Sequence, residues 1–194
     1  NPLENSTILG ELFTSISQNQ VICLSYHKFM DCDNIQTINI YPYLLKEYNR
    51  RWFLIGAAED GGKILCYSLD RIDKVEPLPS HKYLEYEGNI NELFDDIIGV
   101  TLYENAPIYN IIIWVSDFSK DYVETKPLHD SQRSLPIDTE NKYRLQYPIL
   151  KGGKFYRIDC KLNYELIREL TSFGKELLVI EPTEVQNAVW EKIH

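Results

Sequence analysis

The chain reads as an α+β protein: a small antiparallel barrel behind a leading helix, then a ferredoxin-like sandwich. Three observations predict this. Short segments rich in strand formers recur at roughly ten-residue spacing between tight turns. An apolar pattern at helical spacing precedes them. The second half runs strand, helix, strand, strand, helix, strand, the order of a ferredoxin-like sandwich. The boundary falls near Gly99, giving residues 1–98 and 99–194.

The leading helix is marked by Leu9, Leu12, Phe13 and Ile16, with Ser6 or Thr7 as its cap and Glu11 in its early turns. Val21 to Tyr26 and Ile35 to Leu45 alternate as a hairpin about the polar Asp31-Cys32-Asp33-Asn34. Tyr48-Asn49-Arg50 turns into Arg51 to Ala58, a strand apolar on both faces, and Asp60-Gly61-Gly62 turns into Ile64 to Leu69. Ile72 to Leu78 completes the barrel, and the spacing of Ile90, Leu93, Phe94 and Ile97 predicts a helix over 89–97. Beyond it the pattern predicts a strand over 108–115, a helix over 117–124, and strands over 143–149 and 155–162 about a Lys151-Gly152-Gly153-Lys154 turn. A helix over 163–173 ended by Gly174, a strand over 177–180 and a final helix over 183–193 follow.

A composition of 44% apolar and 25% charged residues over 194 positions is that of a folded domain. No apolar run is long enough to cross a bilayer and no leader pattern opens the chain, so it reads as cytoplasmic and free of membrane. Asn5-Ser6-Thr7 fits a glycosylation acceptor but reads better as a helix start. The missing initiator Met marks the sequence as a piece of a longer protein. Cys23, Cys32, Cys66 and Cys160 lack metal or disulfide spacing and read as free thiols, and no cofactor is signalled.

Catalytic motifs fail on geometry. His129-Asp130-Ser131 spells the triad types, but sequence neighbours cannot form a relay through both ring nitrogens. Lys151-Gly152-Gly153-Lys154 has neither the spacing nor the strand-then-helix setting of a phosphate loop. The chain is read as a non-enzyme.

The informative feature is local. A net charge of -9 argues against non-specific grip on nucleic acid, yet residues 40–56 hold Lys46, Arg50 and Arg51 against Glu47 alone. In an extended strand Arg51 and Phe53 share one face while Arg50, Trp52 and Leu54 share the other. A hairpin about Gly61-Gly62 returns Arg71 towards the start of that strand. Guanidinium groups hold phosphates bidentately and aromatic faces stack bases. Arg71, Arg51, Arg50, Lys46, Lys28, Tyr26, Tyr41 and Trp52 are therefore the candidate ligand-binding set. Set against this, Arg71 could simply pair with a carboxylate, and Trp52, mid-strand, reads first as core.

Taken in order, Tyr26-His27-Lys28-Phe29, Tyr41-Pro42-Tyr43-Leu44-Leu45-Lys46-Glu47-Tyr48, Arg50-Arg51-Trp52-Phe53-Leu54-Ile55-Gly56 and Ser68-Leu69-Asp70-Arg71-Ile72 resemble the WYL domain of bacterial transcriptional regulators. Phe53 stands where the family's triplet has tyrosine. Lys126-Pro127-Leu128-His129-Asp130-Ser131-Gln132, Glu165-Leu166-Ile167, Ser172-Phe173-Gly174 and Val179-Ile180-Glu181-Pro182 resemble the companion WYL C-terminal extension. The resemblance implies an Sm-like (Src-homology-3-like) barrel and a ferredoxin-like extension in a homodimeric regulator. It implies a barrel that senses single-stranded nucleic acid, a nucleotide or a similar anion. Promoter DNA would be reached only through a helix-turn-helix domain upstream of Asn1. The alternative is an assembly module without a small ligand.

Overall fold

The computed structural model describes residues 2–28 and 30–193, with the backbone alone for residues 2–5. Asn1, the Asn5 side chain and Phe29 of the first motif therefore lie outside the description. The chain divides into two compact units after Glu92, a few residues before the Gly99 boundary read from the sequence. It is an α+β fold with one antiparallel sheet in each unit.

In the first unit, helix α1 (Pro2–Ser17) begins ahead of Ser6 and Thr7, which sit inside its early turns instead of capping it. Strands β1 (Ile22–Lys28), β2 (Asp31–Tyr48), β3 (Arg51–Ala58), β4 (Ile64–Ser68) and β5 (Ile72–Pro77) pair in the order β4-β3-β2-β1-β5. Asp31 to Asn34, expected as a turn, opens β2, with Lys28 opposite Asp31. Of the closed or nearly closed barrel that the strand spacing predicts, the closed form is not found. No ladder joins β4 to β5 among the described residues, because Leu69–Arg71 form a 3-10 turn between them.

Leu12 of α1 packs on Leu24, Ile40, Leu54, Leu69, Ile72 and Val75, which makes one face of this sheet the main core of the unit. The other face carries a smaller cluster of Val21, Tyr41 and Ala57 with Tyr43 and Tyr83. A bulge in β2 decides which residues go where. Pro42 opposes Gly56 and Leu44 opposes Ile55, so Tyr43 is the extra residue. Ile38 and Ile40 before it and Leu45 after it all join the main core, so the buried phase shifts from even to odd positions. Gly56 is required here, since a Cβ would lie 2.4 Å from the Tyr41 carbonyl oxygen.

The expected helix over 89–97 is only a 3-10 turn, Ile90–Phe94. The second unit's strands β6 (Ile108–Val115), β7 (Arg133–Ser134), β8 (Lys154–Lys161) and β9 (Leu177–Glu181) form an antiparallel sheet in the order β7-β8-β6-β9. Helix α2 (Lys120–Thr125) follows β6. Residues 143–149, expected as a strand, instead belong to helix α3 (Ile137–Gln146) and the segment after it. Their alternation Tyr143, Leu145, Tyr147, Ile149 misleads. Only Tyr143 and Tyr147, one helical turn apart, pack on Trp114, Leu135 and Phe155, while Leu145 and Ile149 are 83% and 85% exposed. Lys151 to Lys154 accordingly links a helix to a strand and is no hairpin.

Helix α4 (Tyr164–Ser172) is capped by Asn163, whose side chain accepts from the Leu166 amide, and α5 (Thr183–Ile193) ends the chain. The buried Glu165 Oε1 accepts from the Val100 and Thr101 amides (3.1 Å each) and from the Thr101 hydroxyl (2.9 Å). Gly99, at φ +78°, leaves room for that carboxylate, since a Cβ there would lie 2.5 Å from Glu165 Cγ.

Candidate functional site

Sheet pairing sorts the candidate residues by face, because directly opposed residues point the same way and neighbours along a strand point opposite ways. Tyr26 packs with the main core, and Tyr67, opposite Leu54, joins it. The two rings meet at 4.6 Å between centroids with planes tilted by 54°. The Tyr26 hydroxyl donates to Gln36 Oε1 at 3.1 Å.

Arg71 ends the 3-10 turn beside this pair. Its Nε donates to the His27 carbonyl at 2.9 Å, so it satisfies a backbone acceptor and not the carboxylate that the sequence allowed. His27 is fixed in turn, with Nδ1 3.0 Å from both carboxylate oxygens of Asp73 on β5. One edge of the Arg71 guanidinium is thereby held, and its two terminal nitrogens have no partner among the described residues. Burial, then the hydrogen bond and charge of Tyr26, push the Tyr67 hydroxyl above the usual tyrosine range, while nearby Arg71 pulls it down. A guanidinium beside two half-buried phenol rings suits an anion that carries a flat group.

The remaining candidates do not all gather there. Arg51 and Lys46 lie on the other face with Phe53, because the bulge at Tyr43 turns Lys46 away from the face that holds Ile40. Arg51 Nε lies 3.7 Å from Asp70 Oδ2, so the carboxylate next to Arg71 faces Arg51 instead. Tyr41 is buried in the smaller cluster against Tyr83, away from Tyr26. Arg50 sits in the β2–β3 turn at φ +62° and is exposed, as is Lys28 at the end of β1. Trp52, expected in the core, is 38% exposed on the Leu54 side, opposite Glu47 near the strand's open end.

Tyr67, Gln36, His27 and Asp73 complete the site, and sequence reasoning missed them. A signal for Tyr67 existed, since pairing β3 with β4 about Gly61-Gly62 puts it opposite Leu54. His27 and Asp73 meet across the β1–β5 ladder, which no local pattern foretells. Two cavities of this unit, about 340 Å³ beside Asn39 and Glu59 and about 480 Å³ beside Thr14 and Pro77, lie away from Arg71.

Ser131 Oγ bonds the backbone of Asp159 as donor and acceptor, at 2.9 Å each, which makes His129-Asp130-Ser131 a loop lock. Among the described residues no group of three His, Cys, Asp or Glu side chains could hold a metal, and no helix is long and apolar enough to cross a membrane.

Residues 7–77 match the family model of the WYL domain. No curated protein matches the chain in sequence. Sixteen chains of solved structure match it. One is proteasome accessory factor B/C (PafBC) of Arthrobacter aurescens, with 16% identity and a TM-score of 0.40 over 93% of this chain and 25% of that one. Another is a CRISPR Cas-related protein, with 11% identity and a TM-score of 0.55 over 97% of this chain and 51% of that one. The latter likeness is one of fold, and the chain spans only about a quarter and about half of these two neighbours.

Proposed function

Because residues 7–77 are a WYL domain, we propose that the chain is the ligand-sensing and dimerising part of a bacterial transcriptional regulator, acting in the cytoplasm by binding and not by catalysis. The ligand is a short single-stranded nucleic acid, a nucleotide or a comparable anion. Promoter DNA would be reached through a separate helix-turn-helix domain. In favour of an Sm-like first unit are the leading helix, the order β4-β3-β2-β1-β5 and the 3-10 turn before β5. In favour of a ferredoxin-like extension is the order β7-β8-β6-β9, with α2 after β6 and α4 after β8.

The observation that carries the ligand reading is Arg71. Its side chain is oriented by one backbone bond and keeps two donor nitrogens beside the Tyr26–Tyr67 pair. An arginine fixed before the ligand arrives loses less freedom on binding than a mobile one. Anisotropy of short labelled DNA and RNA oligomers tests this: Arg71→Ala should weaken binding at least about tenfold, and unchanged binding would remove Arg71 from the site. A pure assembly module is the second reading, favoured by the exposed Phe13, Ile35 and Trp52 of the first unit. A stable dimer with no thermal shift across oligonucleotides and nucleotides would select it.

A further inference from the structure

We propose that the second unit carries a phosphate-binding site of its own, formed by Arg133 and Arg157. On the β7–β8 ladder these two residues stand directly opposite each other. Opposed side chains on a ladder have Cβ atoms about 4.5–5.5 Å apart, and like charges placed so repel. Both residues are exposed, in a chain whose net charge is -9. An anion between the two guanidinium groups removes the repulsion.

The loop before β7 presents Arg133 rigidly. Buried Gln132 donates to the Val123 carbonyl at 3.0 Å and accepts from the Leu128 amide at 2.9 Å. Ser131 clamps the loop to the backbone of Asp159 on β8. The segment Leu128 to Gln132 thus holds the next residue, Arg133, over the sheet. Arg133 Nη1 donates to the Asp130 and Gln132 carbonyls at 2.6 Å each, and Arg157 Nε to Asp159 Oδ1 at 3.1 Å. Arg133 Nε and Nη2 and both terminal nitrogens of Arg157 keep no partner among the described residues.

Asp159 already pairs with Arg157 on this face, and an anion would have to be held by the donors that pair leaves open. Asp159 Oδ1 is shared between Arg157 and Asn110, and Lys161, two positions on, lies 3.9 Å from Asp96. Glu181 is two strands from Arg157, or about 10 Å. Two planar forks at this spacing suit a tetrahedral anion with several acceptor oxygens, which is a phosphate group, free or within a nucleic acid.

The test is calorimetric titration of the whole chain at constant ionic strength with inorganic phosphate, a 5′-phosphorylated oligonucleotide and its unphosphorylated counterpart. Arg133→Gln and Arg157→Gln should each weaken binding at least about tenfold, with Arg157→Lys intermediate. Binding of inorganic phosphate or of the 5′-phosphorylated oligomer alone identifies a terminal phosphate, and equal binding of both oligomers identifies the diester backbone. Equal binding by wild type and both glutamine variants, or no binding of any probe, would overturn the site. A loss confined to Arg71→Ala would also overturn it while leaving the first unit's reading intact. Both arginines are exposed, and superimposable thermal melts of the variants establish that a loss of binding is not a loss of fold.

Discussion

The two sheets are held by different means. Of the buried polar residues among those described, Ser15 lies in the first unit, whereas Ser119, Gln132, Asn163 and Glu165 lie in the second. The first sheet is an apolar sandwich whose aromatic and cationic side chains come to the surface at Tyr26, Tyr67, Arg71 and Trp52. The second is locked by specific internal hydrogen bonds, in which Glu165, Asn163 and Gln132 each answer backbone groups.

The sharpest way to break that contrast is Glu165→Ala. It leaves two amides and a hydroxyl without their acceptor and should cost about 3–5 kcal/mol, read as a lower denaturant midpoint. If it costs less than Leu54→Ala, the second unit is not locked by polar bonds. Leu54→Ala, in the fully buried core of the first unit, should cost about 2–5 kcal/mol in the same measurement. Asp73→Asn removes the charged partner of His27 and frees the backbone that anchors Arg71; oligomer affinity should fall about threefold by anisotropy, less than for Arg71→Ala.

A smaller effect should follow pH. The His81 hydrogen bond holds the Glu59 carboxyl below the usual glutamate range, although partial desolvation opposes this. A depressed folded value stabilises the native state above the unfolded value, about 4.3, and that stabilisation is lost as pH falls through the folded value. The melting difference between wild type and Glu59→Gln should therefore be present at pH 6 and disappear towards pH 3. Smallest of all, Leu145→Ser on the outer side of α3 should move stability by no more than about 0.5 kcal/mol.

Much of this was legible in the sequence. Turn residues and alternation placed β3 and α5 at their observed limits, since both signals are local. The same rules failed at Tyr143 to Ile149, where alternating apolar residues overlap a helix that buries only every fourth one. Arg71 was legible as a candidate because it follows a strand and a turn. Lys46 and Tyr41 were not separable from Tyr26, because one inserted residue in β2 changes which face each side chain meets. Trp52 looked like core because nothing local shows how far the apolar cover extends along a strand.

That inserted residue has a consequence for anyone who mutates the protein systematically. The β2 positions that face the main core change parity at Tyr43, even-numbered at Ile38 and Ile40 before it and odd-numbered at Leu45 after it. Deleting Tyr43 would restore one uninterrupted parity and carry Leu45 and Glu47 together to the opposite face of the sheet. A single position thus acts as the strand's phase marker, and Gly56, opposite the neighbouring Pro42, is the residue that lets the two strands approach there.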